Sequence, residues 1–185
     1  MYQQRFGLKR RPFPATPDDA LYYPATGHER ALAALVRAIN EDEGLMLLTG
    51  APGTGKSLLG HMLPGRLLGA GAGTAAAGPE PAMATSYIAQ AIEPGRRALL
   101  QAILFDLQLP HEEGAEQTLR LRLVEHLLKN CAAGQRTVLV LDEAHFLAAE
   151  HLEELRSLGN LEAGGKKAFQ VVLLGQPNLL DGLKK

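Results

Sequence analysis

The sequence predicts an α/β fold of three layers, a parallel β-sheet with helices on both faces. Three observations carry this. The apolar runs Leu45–Leu48, Thr137–Leu141 and Gln170–Leu174 are continuous rather than alternating, the pattern of strands covered on both faces. Longer segments with apolar residues at helical spacing separate them. A glycine-rich turn, Gly50-Ala51-Pro52-Gly53-Thr54-Gly55, lies between the first run and a helical segment. With 185 residues, 46% hydrophobic and 21% charged, the chain is long enough for one domain with a sizeable core.

The elements follow in order. Residues 1–26 hold Pro12, Pro14, Pro17 and Pro24, four of the eleven prolines, and are expected to form an extended arm with turns. The core is expected over 27–185. Thr26-Gly-His-Glu29 has the form of a capping box, with Thr26 as N-cap. Leu32, Leu35, Val36 and Ile39 continue it at helical spacing, and the helix should stop near Glu43-Gly44. The strand Leu45–Leu48, the glycine turn and a helix from Leu58 to Leu68 come next. Residues 69–84 are Gly/Ala-rich and read as a flexible surface loop. Thr85–Ala89 is a weaker strand. Helices follow over Arg97–Leu107 and Glu116–Cys131, broken at Leu109-Pro110. The strand Thr137–Leu141, a helix over 148–162 with Leu152, Leu155 and Leu158 on one side, and the strand Gln170–Leu174 complete the series. There is no internal repeat.

Composition narrows the class. A net charge of −1 supplies no global basic field for nucleic acid, although Lys9-Arg10-Arg11 is a small local patch. The one cysteine, Cys131, excludes an intramolecular disulfide, fits a reducing compartment and reads as a small core residue. No apolar stretch approaches membrane-spanning length, and the N-terminus lacks the apolar core of a signal peptide. A cytoplasmic location is the expectation.

Gly50 to Ser57 fits G-x-x-x-x-G-K-[ST], the phosphate-binding loop of nucleoside triphosphatases. Glycines admit positive φ and bring N–H groups close to phosphate oxygens. Lys56 brings a point charge to the β- and γ-phosphates, and Ser57 a hydroxyl to Mg²⁺. The helix starting there aims free N–H groups at the anion. The nucleotide contacts are therefore expected from Gly50, Ala51, Pro52, Gly53, Thr54, Gly55, Lys56, Ser57 and Leu58. Val138-Leu-Val-Leu-Asp142-Glu143 has the form of the Walker B element, an apolar strand carrying two acids to the carboxyl edge of a sheet. Asp142 would hold the Mg²⁺ site, through water, and Glu143 would act as general base on the attacking water. Gln176 has two readings, a turn residue before Pro177 or a polar group reaching the γ-phosphate. His145 faces a helix end, a neighbouring subunit or solvent. His28 is a cap-region histidine or a ligand contact. No Asn-Lys-x-Asp motif occurs, which points to ATP rather than GTP.

Taken together these residues resemble the ExeA-like ATPases of the general secretion pathway. The resemblance rests on Tyr2…Phe6-Gly7-Leu8-Lys9…Pro12-Phe13…Thr16-Pro17-Asp18, Leu21-Tyr22-Tyr23 and His28-Glu29-Arg30-Ala31-Leu32. Gly50–Ser57, Leu141-Asp-Glu-Ala-His145 and Leu174-Gly-Gln-Pro177 complete it. It implies an AAA+ module of the ASCE type that hydrolyses ATP with Mg²⁺ and assembles or energises a type II secretion system. It also implies that Gln176 is the sensor, that Lys56, Glu143 and Gln176 form the catalytic set, and that an arm carrying Tyr23 and His28 lies against adenine. Homo-oligomers or secretion-system subunits are the implied partners, at the cytoplasmic face of the bacterial inner membrane in a longer parent protein. Two departures stand out. Residues 69–84 look longer than the family's link, and a fifth strand, arginine finger and lid have no candidate, so slow turnover and an exposed sheet edge beside the first strand are expected. The alternative reading is an ATP-dependent switch or binding module like those of transposition and DNA-targeting ATPases. A small-molecule kinase is disfavoured, because an acidic pair at a strand end suits water activation.

Overall fold

The computed structural model describes residues 2–9, 21–70, 83–89 and 94–180. The prolines at 12, 14 and 17 and most of the Gly/Ala segment lie outside the described residues. The elements are α1 (Tyr2–Arg5), α2 (Thr26–Asn40), β1 (Leu45–Thr49), α3 (Lys56–Ala70), β2 (Met83–Ile88), α4 (Arg96–Asp106), α5 (Glu116–Ala132), β3 (Arg136–Leu141), α6 (Ala149–Gly159), β4 (Glu162–Ala163), β5 (Lys166–Lys167) and β6 (Gln170–Gly175). A single 3₁₀ turn, Ala144–Phe146, stands between β3 and α6.

The main sheet is parallel with order β1-β6-β3-β2. The chain runs from β1 at one edge to β2 at the other and then returns inward. That reversal puts helices on both faces. Val138 and Val140 of β3 and Val172 and Leu174 of β6 pack with Leu32, Leu35, Ile39 and Leu63 of α2 and α3. Their alternates, Leu139, Leu141, Val171 and Leu173, pack with α4, α5 and α6 through residues such as Leu100, Leu123 and Leu155. Successive strand residues point to opposite faces, so continuous apolar runs are needed where both faces are covered. β3 and β6 meet that description, and all six residues of β6 are buried.

β1 departs from the expectation of a fully buried strand. It pairs only with β6 among the described residues, and Leu47 is 37% exposed. The capping box also does not form. Thr26 is the first helical residue and Ala25 the N-cap, with no side-chain cap bond. Glu29 instead accepts from the Tyr22 hydroxyl at 2.8 Å and pairs with Arg66 of α3 at 2.9 Å. The helix expected to 162 ends at Gly159. After it, Gly164 and Gly165, at φ +60° and +74°, turn a β4–β5 hairpin that the Lys167–Glu162 pair closes at 2.6 Å. The start of the arm is helical over Tyr2–Arg5 rather than extended.

Two contacts set the sheet against the helix layer that carries the site. Gln170, buried at the start of β6, donates to the carbonyls of Ile39 (2.9 Å) and Glu43 (3.1 Å), tying the end of α2 to the sheet. Gly60 of α3 leaves no room for a side chain, since a Cβ there would lie 2.5 Å from Leu174, with Tyr87 at 3.1 Å and Val140 at 3.3 Å. α3 thus lies close over the carboxyl half of the sheet.

Candidate functional site

The loop Gly50–Gly55 leaves β1 and enters α3 at Lys56. Gly53 and Gly55 have φ of +76° and +83°, values that a side chain strains. Thr54 Oγ1 donates to the Ala51 carbonyl at 2.8 Å and closes the turn. The Lys56 ammonium curls back to the carbonyls of Gly50 and Ala51, both at 3.0 Å, so its charge sits within the loop. Gly50 N–H donates to the Gly175 carbonyl at 3.1 Å, which fastens the loop to the end of β6. His28 Nε2 donates to the Thr54 carbonyl at 2.9 Å. Two separate elements, β6 and α2, therefore hold the loop's shape.

The acidic pair stands at the end of β3. Asp142 is 8% exposed, and its Oδ1 accepts from the Glu143 N–H at 2.8 Å. Its Oδ2 accepts from the Tyr87 hydroxyl at 3.0 Å, and that hydroxyl also lies 3.5 Å from the Ser57 carbonyl. Tyr87 thus holds the β3 acid close to the first turn of α3. Burial, and then the Asp142 charge, push the Tyr87 hydroxyl well above its ordinary range, so it stays a donor. Its ring stacks on His61, centroids 4.0 Å apart. Glu143 sits in the left-handed region at φ +51°, with a half-exposed side chain. Such strain in a non-glycine residue costs about 1–3 kcal/mol and is concentrated at functional positions.

Gln176, just past β6, has its amide nitrogen 3.0 Å from His145 Nε2. His145 is almost fully buried, and its Nδ1 lies 3.3 Å from Glu143 Oε2. Of the residues singled out in the sequence, Gly50–Ser57, Asp142, Glu143, Gln176 and His28 meet at the carboxyl edge of the sheet. Tyr23 does not join them. It is 80% exposed, and Tyr22 is the ring near His28, at 6.3 Å between centroids. Leu58 is partly buried in α3 beyond the loop. Sequence reasoning missed Tyr87 and His61, because nothing in Thr85–Ala89 shows that β2 lies beside β3 with Tyr87 opposite Val140. An open cleft of about 790 Å³ lined by Phe105, Leu109, His111 and Arg122 contains none of the loop or acidic residues.

The donor set fits a magnesium ion. One carboxylate and one hydroxyl leave most positions to water and phosphate, which is how Mg²⁺ binds in nucleotide sites. Among the described residues no group of three or more His, Cys, Asp and Glu forms an all-protein cage.

Fold and site together define a P-loop AAA+ ATPase, and the chain belongs to the AAA domain family, whose pattern matches residues 38–183. Within it, the whole chain aligns at 38% identity over 188 residues with general secretion pathway protein A of Aeromonas hydrophila. It spans 32% of that protein's length. Among solved structures it resembles the ORC2 protein of Aeropyrum pernix in its ADP form, with a TM-score of 0.68 and 15% identity over 94% of this chain and 47% of that one. It also resembles Cdc6p from Pyrobaculum aerophilum, with a TM-score of 0.67 and 22% identity over 92% and 43%. These two share the fold. No helix among the described residues is long and apolar enough to cross a membrane.

Proposed function

We propose that this chain binds ATP with Mg²⁺ and hydrolyses it by in-line attack of water, as the motor segment of a secretion ATPase. One observation carries the reading: the Tyr87 hydroxyl that donates to Asp142 lies 3.5 Å from the Ser57 carbonyl, which puts the acidic pair beside the first turn of α3 where the phosphate loop ends. The loop N–H groups and Lys56 would hold the β- and γ-phosphates, exchanging the Gly50 and Ala51 carbonyls for phosphate oxygens. Ser57 and Asp142 would hold the ion, Asp142 through water, because both its oxygens already accept protein donors. Bound there, Mg²⁺ would neutralise charge on the phosphate oxygens. Glu143 would orient the water and accept its proton. Gln176 would contact the γ-phosphate, and His28 would support the loop through Thr54.

The secretion role rests on the identity to general secretion pathway protein A. On that reading residues 1–26 form an arm before the ATPase core, and the protein works at the cytoplasmic face of the inner membrane with copies of itself or secretion subunits. An arginine finger, where an assembly of copies supplies one, would add about 10³–10⁵ in rate. The test is phosphate release by the protein. Glu143→Gln is expected to lower kcat about 10²–10⁴-fold while nucleotide affinity stays near wild type. Undiminished turnover would remove Glu143 from the mechanism.

A further inference from the structure

We propose that His145 is a positioning residue that links Gln176 to the carboxylate of Glu143, so that contact at the γ-phosphate and alignment of the water-activating group are one event. The inference rests on the reading of Glu143 as the group that activates water. Its grounds are geometric. The His145 side chain is 4% exposed in the 3₁₀ turn after β3, with Nε2 3.0 Å from the Gln176 amide nitrogen. Nδ1, on the other side of the ring, is buried without a hydrogen-bond partner and stands 3.3 Å from Glu143 Oε2. The distance is that of an ion pair, but the alignment is not that of a hydrogen bond. A small rotation of the Glu143 carboxylate completes it, and catalytic hydrogen bonds commonly tighten only once substrate is bound.

The chemistry gives the chain a direction. In the neutral ring one nitrogen donates and the other accepts. A carboxylate facing Nδ1 favours the tautomer with the proton on Nδ1. Nε2 is then the acceptor, and Gln176 must present its NH₂ group to it. That group has two N–H bonds. One serves His145, and among the described residues the other carries no hydrogen bond, leaving it for a phosphate oxygen. Gln176 therefore meets the phosphate and the histidine with the same nitrogen. The backbone makes the chain stiff. A Cβ on Gly175 would lie 3.3 Å from the His145 backbone nitrogen and 3.0 Å from Leu179, so the end of β6 packs directly on the turn. The Gly175 carbonyl accepts from Gly50 N–H, which joins the same point to the phosphate loop. Phe146 covers the imidazole at 4.1 Å between centroids.

The experiment uses the protein and the pair His145→Asn and His145→Leu. Both fill the pocket, but only asparagine keeps a donor near the place of Nδ1. His145→Leu is expected to lower kcat about 10²-fold, the order of loss for a reacting group displaced by an ångström, with KM for ATP unchanged. His145→Asn should recover about tenfold of that loss. Adding Gln176→Ala to His145→Leu removes the phosphate contact as well, but should cost less than the product of the two single losses, since part of each runs through the one chain. Equal kcat for the two histidine variants, or a double variant whose losses multiply, overturns the proposal. Glu143→Gln run alongside separates the two levels. If it hydrolyses ATP at the wild-type rate, the reading of Glu143 fails. If it is inactive while His145→Leu and His145→Asn are equal, only the role of His145 fails.

Discussion

Removing one oxygen from Tyr87 tests the hydrogen bond that holds Asp142 in the proposed site. Tyr87→Phe keeps the ring stacked on His61 and deletes only the hydroxyl that donates to Asp142 at 3.0 Å. Asp142 then keeps one protein donor, the Glu143 N–H, while remaining 8% exposed. A hydrogen bond to a charged group contributes about 1.5–3 kcal/mol, and partial access of water to Asp142 puts the loss toward the lower end. For a domain of this size each kcal/mol is about 2–4 °C in Tm, so a fall of about 3–6 °C is expected by thermal denaturation. The pH dependence supplies an independent sign. The Tyr87 pKa is raised in the folded protein, so the folded state holds this proton more tightly than the unfolded chain does. Its contribution is constant below the unfolded tyrosine value, about 10, and is lost as pH rises beyond it. Wild type should therefore lose stability faster than Tyr87→Phe on going into that alkaline range. An unchanged Tm with parallel alkaline profiles would refute the Tyr87–Asp142 bond.

Two further predictions bear on the loop and the core. Gly55→Ala places a side chain at φ +83° and 3.4 Å from the His28 ring, a strain of about 1–2 kcal/mol, and should weaken ATP binding about tenfold in an analogue-displacement titration. Wild-type affinity would show that the loop tolerates the left-handed strain and that His28 yields. Gln170→Leu leaves the Glu43 carbonyl without its side-chain donor and should lower the unfolding free energy by about 1–3 kcal/mol, read from the urea midpoint. An unmoved midpoint would mean that this tether between α2 and β6 is replaceable.

What the sequence disclosed follows from how far its information travels. Gly50–Ser57 and Asp142-Glu143 are legible because each motif is local, a few residues whose spacing is itself the geometry. β3 and β6 are legible because two covered faces demand an unbroken apolar run, and Val138–Leu141 and Val171–Leu174 supply one. The β4–β5 hairpin was missed because two-residue strands carry no periodicity, and only the consecutive positive φ values of Gly164 and Gly165 define it. The capping box failed for a tertiary reason. The helix starts one residue early, with Ala25 as N-cap and Thr26 already helical, and the Glu29 carboxylate is taken up by Tyr22 and Arg66.

The same distinction separates the two halves of the site. Phosphate binding needs a loop conformation, which glycine spacing encodes within eight residues. The proposed water activation draws on groups from the ends of β3, β2 and β6, and their order in the sheet is not their order in the chain. Tyr87 precedes Asp142 by 55 residues, and Gln176 follows His145 by 31, yet each pair is in direct contact. What makes them meet is the parallel register, with Ile88 opposite Leu141 and Leu141 opposite Leu173. A one-residue slip would turn the acid-bearing face of β3 away from both neighbours. The core that fixes the register therefore also fixes the chemistry. A substitution such as Gln170→Leu, at the far end of β6, bears on the site only as far as that register yields.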